Sequence, residues 1–265
     1  MIDAETQQNL RERFNPDGSI LRRHQLRMLE MLKYIDKICT ENDIPYWLSS
    51  GTCLGAVRHG GFIPWDDDVD IEMMAKDYKK LRKCIIEDPN CPYYWQDYTT
   101  DINYLYGYAK VRDKHSEIIE FCEENLKYKY KGIFIDVFII TPSNSLFLRK
   151  TGAWFVYRYK KQVSKLKSGW LKNFFKNLLY RILIPFMESF QKILAKGRMR
   201  HLTGSYFFKP RIMGDIKGIK YIKFEDTNLP VPGNVEDYLT KIYGDYNTLP
   251  DSPIVKHTAT CKIFE

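Results

Sequence analysis

Residues 49–71 read SSGTCLGAVRHGGFIPWDDDVDI, and this stretch decides both the fold and the chemistry that the chain can carry. Four aspartates fall within its last six residues, where apolar side chains alternate with the acids. Alternate residues of an extended strand point to one side, so Asp66, Asp68 and Asp70 are expected to share a face. Neighbouring carboxylates repel each other unless a cation lies among them, and these hard oxygen ligands suit Mg²⁺ or Mn²⁺.

The beginning of the same stretch predicts a phosphate-binding turn. Ser50, Gly51 and Thr52 lead from a short strand into a helix that is predicted to run to Arg58, with Thr52 as its N-cap. Glycine permits close approach of the backbone, and a helix N-terminus offers N–H groups and a positive dipole end to a phosphate. A phosphate turn beside a metal site fits metal-assisted transfer of a phosphoryl-containing group, in which a carboxylate orients or deprotonates the attacking hydroxyl.

A further carboxylate interrupts the most apolar strand of the sequence. Asp136 lies within Gly132–Ile140, a predicted strand that is otherwise almost entirely apolar. A buried carboxylate without a partner costs several kcal/mol, so Asp136 requires one. A hydrogen bond to backbone would satisfy it, but convergence on the same metal as Asp68 and Asp70 explains it better.

The remaining sequence predicts an α+β body with a mainly mixed sheet. Further helices are predicted over Ser19–Thr40 and Lys76–Ile86, and further strands over Tyr46–Ser49, Val69–Glu72, Tyr93–Asp97, Tyr106–Arg112 and Glu117–Phe121. The last three of these strands are expected to form an antiparallel meander. With 44% hydrophobic and 28% charged residues, the composition is that of a globular protein. The first thirty residues show no signal-peptide pattern and no apolar run could span a bilayer, which predicts a cytoplasmic protein.

Charge is concentrated in one segment. Residues 147–200 contain fourteen Lys or Arg and a single acid, Glu188, so this segment is +13 and the rest of the chain is −5. Large apolar residues recur there at helical spacing, and Pro185 is expected to end or kink the helix. The segment is interpreted either as a helical hairpin with solvated basic faces or as a helix pair lying on an anionic membrane surface. No nucleic-acid-binding motif accompanies it, so no nucleic acid is expected as a partner.

Residues 49–71 resemble the signature of the LicD family, which includes fukutin and fukutin-related protein as distant animal relatives. The Gly132–Ile140 strand resembles the second acidic strand of that family. Val231-Pro232-Gly233 and the segment Tyr238–Tyr246 resemble its C-terminal pattern. The basic helices between these regions are not covered by the resemblance.

The resemblance implies a nucleotidyltransferase-like fold of the DNA polymerase β type with a basic helical insertion. Its catalytic core would occupy residues 1–146, the insertion 147–203, and a segment returning to the core 204–265. Family members transfer a phosphorylated alcohol, foremost phosphocholine from CDP-choline, to a glycan hydroxyl and release CMP.

The resemblance also implies roles for individual residues. Asp68 and Asp70 would bind the divalent metal, and Asp66 would support that cluster or the nucleophile. Asp136 would be the third metal-binding carboxylate, nearest the acceptor hydroxyl. The donor phosphates would be faced by Ser50, Gly51 and Thr52.

Other candidates keep two interpretations. Arg58 is expected either to hold the donor diphosphate or to pair with the acidic cluster, since its fork suits both. Lys110 lies on a strand edge from which it either reaches a phosphate or forms ordinary surface charge. His59 is interpreted as a turn residue rather than a base, and His257 either borders the acceptor site or belongs to a mobile tail.

The leading hypothesis is a Mg²⁺-dependent phosphotransferase that moves a phospho-alcohol onto a lipid-linked glycan precursor at the inner face of the cell membrane, in lipopolysaccharide or teichoic acid modification. A nucleotidyltransferase that releases pyrophosphate is the first alternative. A catalytically inactive, membrane-associated binding protein is the second, and the intact set of four aspartates argues against it.

Overall fold

The computed structural model describes residues 2–119, 127–193, 195–250 and 260–263, along which helices and strands are mixed. The helices are α1 (Ala4–Phe14), α2 (Ile20–Glu41), α3 (Ser50–His59), α4 (Ala75–Glu87), α5 (Leu146–Ser164), α6 (Gly169–Leu178), α7 (Ile184–Ile193), α8 (Met213–Ile216) and α9 (Val235–Tyr243). The strands are β1 (Trp47–Leu48), β2 (Asp70–Met74), β3 (Tyr93–Gln96), β4 (Ala109–Asp113), β5 (Ser116–Ile119), β6 (Phe134–Pro142), β7 (Arg198–His201), β8 (Arg211–Ile212), β9 (Lys220–Phe224), β10 (Thr227–Val231) and β11 (Thr260–Ile263).

A mixed sheet forms the centre of the molecule, with strands in the order β1–β2–β6–β4–β3. Strands β2 and β6 run parallel, and Asp70 of β2 lies in register with Asp136 of β6. The other neighbouring pairs are antiparallel, and β7 and β8 continue the sheet from the end of β6. The predicted α+β body with a mixed sheet is therefore confirmed.

The two faces of this sheet differ in chemistry because alternate residues of a strand point to opposite sides. On one face, Ile71 of β2 and Val137 of β6 belong to the main apolar core, which also includes Leu32 of α2 and Leu81 of α4. The alternate positions carry the acidic residues of β2 and β6 to the opposite face. Burial of the apolar positions therefore fixes the register that presents the carboxylates together.

Helix α2 shows how local sequence sets the boundaries of an element. Ser19 is its N-cap, and the Ser19 hydroxyl accepts a hydrogen bond from the N–H of Arg22 at 3.1 Å. The buried side chains of Met28 and Ile35 attach the helix to the core. The predicted helix over Ser19–Thr40 is confirmed to within one residue at each end.

The predicted antiparallel meander is wrong in its third strand. Strands β3 and β4 pair as expected, but β5 pairs with β11 near the C-terminus. Strand β4 already has β3 on one edge and β6 on the other, so it offers no edge to β5. Phe121, the predicted end of that strand, lies outside the described residues.

Residues 146–193 form helices, with α5 contacting α6 across a short turn. Pro185 does not end this helical segment, contrary to one of the two expectations for it. A π-helical turn at Leu179–Leu183 precedes it, in which the N–H of Ile184 donates to the carbonyl of Leu179. None of the helices in the described ranges is long and apolar enough to cross a membrane.

Candidate active site

A cleft of about 1470 Å³ opens over the polar face of the sheet. Its lining includes the carboxylates of Asp66, Asp68 and Asp70, several aromatic side chains, and lysines of residues 160–172. Pockets for one drug-sized ligand usually enclose about 300–1,000 Å³, so this cleft has room for two substrates side by side.

The structure brings the predicted acidic residues together. Asp66, Asp68 and Asp70 line the cleft. Asp136 lies beside Asp70 on the parallel strand, but it is buried and is absent from the described lining. Its Oδ1 forms an ion pair with the Nζ of Lys110 at 2.8 Å. The partner that a buried carboxylate requires is therefore a lysine in this structure.

Burial and mutual repulsion hold the pKa values of these carboxyls above their ordinary range. Burial, and then the neighbouring Asp68, raise the pKa of Asp66 and of Asp70 well above the usual value. Asp68 reaches solvent in the cleft, yet protein surrounds it closely enough that burial raises its pKa to about 6, with Asp136 adding to the effect. Each of these carboxyls would ionise more readily beside a positive charge.

The cluster fits a divalent cation in its chemistry but is not assembled as a ligand set. Among the described residues, no group of three His, Cys, Asp or Glu side chains is arranged to hold a metal ion. Asp68 and Asp70 face the cleft, whereas the predicted third ligand, Asp136, is held by Lys110. Lys110 is buried, so the interpretation of it as ordinary surface charge is wrong.

The predicted phosphate turn lies directly against the carboxylates. Ser50 and Gly51 line the cleft, and Ser50 adopts a φ of 45°, a left-handed conformation that residues other than glycine rarely take. A Cβ atom on Gly51 would lie 3.1 Å from Oδ2 of Asp66. The first turn of α3, whose N–H groups lack intrahelical acceptors, therefore borders the same space as Asp66.

Thr52 differs from its prediction. Ser49, not Thr52, is the N-cap residue of α3. The hydroxyl of Thr52 is buried and accepts a hydrogen bond from the N–H of Asp70 at 2.9 Å. Thr52 thus fastens the helix to the beginning of β2 and sets the position of Asp70, and it is not among the residues described as lining the cleft.

Arg58 lines the cleft, and its guanidinium forms hydrogen bonds with the C-terminal segment. Its Nη1 donates to the carbonyl oxygens of Tyr246 at 3.0 Å and Thr248 at 3.3 Å. Burial, and then Arg58, lower the pKa of His59 to about 3, so His59 is neutral and contacts Gln7 as a structural residue. His257 lies outside the described residues.

A buried polar network around Glu72 was missed by sequence reasoning. Glu72, two residues after Asp70, has no exposed surface. Its carboxylate is contacted by Trp47 Nε1 at 3.0 Å, Ser49 Oγ at 2.8 Å, His201 Nε2 at 2.6 Å, Tyr238 OH at 3.1 Å and the guanidinium of Arg211. Burial alone would raise the pKa of Glu72, but Arg211 and His201 overcome that effect and hold it well below its usual value.

This network supports the phosphate turn from behind. The Nη2 of Arg211 also donates to the hydroxyl of Ser50 at 3.2 Å, and the N–H of Ser50 donates to Tyr238 OH at 3.4 Å. The available signal was an acid flanked by apolar residues, Ile71 and Met73, within a strand, as it was for Asp136. Its partners could not have been found, since they are distributed over β1, β7, β8 and α9.

Aromatic rings form a continuous wall of the cleft. The side chains of Tyr106, Tyr108, Phe138 and His201 line it and contact one another in sequence, with ring centres 5.3, 4.6 and 4.7 Å apart. A cation–π contact is already present on this wall, because the Nζ of Lys160 lies 4.1 Å from the centre of the Tyr106 ring. The wall therefore offers faces to a cationic group.

Comparison with known proteins identifies the domain that contains this site. Residues 43–173 match the family described as LicD/FKTN/FKRP, nucleotidyltransferase domain. This chain contains a LicD domain. The lipopolysaccharide cholinephosphotransferase LicD of Haemophilus influenzae is 28% identical over 254 residues, which cover 87% of this chain and 92% of that protein.

Other relatives share shorter regions with this LicD-domain protein. The uncharacterised protein RP689 of Rickettsia prowazekii is 34% identical over 110 residues, 42% of this chain and 39% of that protein. The ribitol-5-phosphate transferase FKTN of the mouse is 45% identical over 53 residues, 20% of this chain and 12% of that protein. The LicD domain includes the acidic cluster and Glu72, whereas His201, Arg211 and Tyr238 follow it in the chain.

Proposed function

We propose that this protein transfers a phospho-alcohol from a CDP-activated donor to a sugar hydroxyl of a cell-surface glycan precursor and releases CMP. The observation that carries the proposal is the cleft in which the first turn of α3 borders Asp66, Asp68 and Asp70. Similarity to LicD and to fukutin-type transferases supports a phosphotransferase acting on glycans. Phosphocholine is the foremost candidate for the group, and lipopolysaccharide or teichoic acid for the destination.

The donor diphosphate would bind at the first turn of α3. N–H groups of that turn and the positive end of the helix dipole favour phosphate oxygens. Gly51 permits close approach, and Arg211 holds the hydroxyl of Ser50 from the buried side. Arg58, at the edge of the cleft, would add positive charge near the diphosphate while it retains the C-terminal segment.

Asp68 and Asp70 would hold a divalent cation, Mg²⁺ or Mn²⁺. The ion would supply positive charge to the donor phosphates and to the CMP that leaves. Asp136 would join them as third ligand once Lys110 gave up its ion pair, and Lys110 would then be available to the donor. Parallel strands that carry one aspartate each, in register, also support a nucleotidyltransferase-like sheet of the DNA polymerase β type.

Transfer would be a single displacement at phosphorus. The acceptor oxygen forms a bond to the phosphorus of the phospho-alcohol, the bond from that phosphorus to the CMP oxygen breaks, and the hydroxyl proton passes to a carboxylate. Asp66 suits that last role because it lines the cleft and burial raises its pKa, which strengthens it as a base. For phosphocholine, the aromatic wall would receive the quaternary ammonium group.

Product analysis tests the proposal. The purified chain is incubated with CDP-choline, CDP-glycerol, CDP-ribitol or CTP, with and without Mg²⁺, and the released nucleotide is measured. We expect Mg²⁺-dependent release of CMP from one CDP-alcohol, and a loss of more than about 10²-fold in Asp68→Asn and Asp70→Asn. Asp67→Asn is the matched control, because Asp67 directly precedes Asp68 in the chain but is not among the described cleft residues.

Release of pyrophosphate from CTP would instead support nucleotidyl transfer on the same site. Full activity of Asp68→Asn and Asp70→Asn would contradict the metal assignment. Absence of both donor binding and Mn²⁺ binding would return the inactive binding protein as the better explanation.

A further inference from the structure

Helices α5, α6 and α7 leave large apolar side chains in solvent. Eleven of the twenty-one large apolar side chains that are exposed in the described residues lie between residues 147 and 193. The exposed fraction reaches 62% for Trp154, 73% for Trp170 and 80% for Ile193. We define the helical patch as the exposed side chains of Phe147, Trp154, Trp170, Phe186, Phe190 and Ile193.

This exposure is not a consequence of loose packing, because the same helices bury an apolar side of their own. Val156, Leu179 and Ile184 form a buried cluster beneath the patch. The guanidinium of Arg149 in α5 forms an ion pair with Glu188 of α7 at 2.8 Å, which joins the two helices. The helices therefore have one apolar face that packs within the protein and a second apolar face that is exposed to solvent.

On the solvent-facing sides of α5 and α7, the exposed side chains recur at helical intervals and form continuous stripes. On α5, residues 147, 150, 154, 158 and 161 recur at intervals of three and four, so aromatic and basic side chains share one exposed stripe. On α7, Phe186, Phe190 and Ile193 continue at the same intervals. A ring contact of 5.0 Å joins Phe186 to Phe190.

The charge around the patch is positive and uncompensated. Lys150 and Arg158 of α5 and Lys192 of α7 are exposed. So are Lys167, in the turn before α6, and Arg181, in the π-helical turn before α7. None of these five forms an ion pair with any residue that the structure describes. Mixed aromatic and basic side chains on the exposed faces of helices are typical of an interface with anionic lipid. The core of a protein–protein interface is depleted of lysine, which disfavours a second protein chain as the partner.

We infer that the helical patch binds the surface of an anionic lipid bilayer, with the apolar side chains in the headgroup region and the basic ones against lipid phosphates. The helices of the patch also line the active-site cleft, through Tyr157, Lys160 and Lys172. A bound bilayer would therefore lie beside the cleft opening. This inference deepens the proposed function and rests on it only for the consequence that the acceptor is lipid-linked.

Vesicle flotation of the full chain tests the inference without any substrate. Vesicles of phosphatidylcholine alone are compared with vesicles that also contain phosphatidylglycerol, at low and at high salt. We expect binding to the anionic vesicles only, weakened by salt. Trp154→Ser/Trp170→Ser/Phe186→Ser should reduce the affinity more than about tenfold. Lys150→Gln/Arg158→Gln should reduce it about fivefold for each charge removed.

The matched controls change similar residues elsewhere on the surface. Ile20→Ser/Ile86→Ser/Tyr221→Ser removes exposed apolar side chains, and Lys37→Gln/Lys83→Gln removes exposed charges; both should bind vesicles like the wild type. Calorimetry of CDP-choline without vesicles shows whether a variant retains its fold and donor site. This separates failure of the membrane inference from failure of the proposed reaction.

Two results would overturn the inference. One is a wild-type chain that does not float with anionic vesicles at low salt. The other is a stable dimer, seen by light scattering, that the triple patch substitution converts to monomer, because a second copy would then be what covers the patch.

Discussion

Glu72 carries its charge where solvent does not reach, and the residues around it explain how. Arg211 and His201 balance the charge, and Ser49, Trp47 and Tyr238 complete its hydrogen bonds. A buried ion pair is weak evidence for stability, but one that touches Ser50 on the cleft side serves to position that residue. Arg211 and Glu72 are therefore positioning residues for the phosphate turn.

Replacing Glu72 should be costly because it leaves a buried guanidinium without its counter-charge. We expect Glu72→Gln to lower the free energy of unfolding by about 3–5 kcal/mol, measured by urea denaturation. Glu87→Gln, an exposed glutamate on α4, should change it by less than about 1 kcal/mol. The double substitution Glu72→Gln/Arg211→Met should cost less than Glu72→Gln alone, and an additive loss would contradict the pairing.

The aspartates predict how pH affects metal binding. Burial raises the folded pKa of Asp68 to about 6, above the ordinary 3.8, so without a cation this group stabilises the fold below its unfolded pKa and loses that contribution as pH rises through 6. A cation binds the ionised form and opposes the loss. The increase in Tm on adding Mn²⁺ should therefore be small at pH 5 and large at pH 7.

Asp68→Asn provides the control for that pH dependence. It removes the titrating carboxylate, so the Mn²⁺-induced change in Tm should become small at both pH values. An equal Tm increase at pH 5 and pH 7 in the wild type would show that the carboxylates are already ionised, contrary to their environment.

At the scale of elements, the proposed phosphate site in the first turn of α3 depends on the absence of a side chain at Gly51. Gly51→Ala would place a methyl group 3.1 Å from Oδ2 of Asp66, in the space assigned to the donor phosphates. Alanine is the better helix former by up to about 1 kcal/mol, so stability should not fall. We expect the affinity for CDP-choline with Mg²⁺, measured by calorimetry, to drop about tenfold.

Gly214→Ala is the matched control for this substitution. Its added methyl group would lie 3.9 Å from Ile212, an ordinary contact away from the cleft. It should leave donor affinity unchanged. If Gly51→Ala binds the donor as the wild type does, the phosphates do not lie at this turn.

Elements defined by local signals were predictable from the sequence, and those defined by distant partners were not. The Ser19 cap and the apolar spacing of α2 give its boundaries, and the acids that alternate with Val69 and Ile71 give a strand with one polar face. Strand β5 pairs with β11 because both edges of β4 are already occupied, by β3 and by β6. That arrangement depends on the order of strands in the whole sheet and not on the local sequence. In the site, local sequence identified Asp66, Asp68 and Asp70, but the lysine partner of Asp136 required the register of β4 against β6.

At the scale of the molecule, charge divides the chain into two regions with different roles. The segment of residues 147–200, which contains α5, α6 and α7 and the beginning of β7, is +13 and the remainder is −5. The same helices carry the helical patch on one side and cleft-lining lysines on the other. A surface that attracts the enzyme to anionic lipid therefore also forms the edge over which a lipid-linked acceptor would enter.

This arrangement predicts that the patch matters only for acceptors held in a membrane. Binding to the bilayer raises the local concentration of enzyme around a lipid-linked acceptor, whereas a soluble glycan gains nothing from it. For Trp154→Ser/Trp170→Ser/Phe186→Ser, kcat/KM should fall more than about tenfold on the acceptor glycan embedded in anionic vesicles through its lipid. With the same glycan freed of lipid, kcat/KM should stay at the wild-type value.

The control variant Ile20→Ser/Ile86→Ser/Tyr221→Ser should match the wild type in both assays. Equal losses on the two acceptors would instead mean that the patch residues support the cleft itself, since a defect in the cleft acts on both substrates alike.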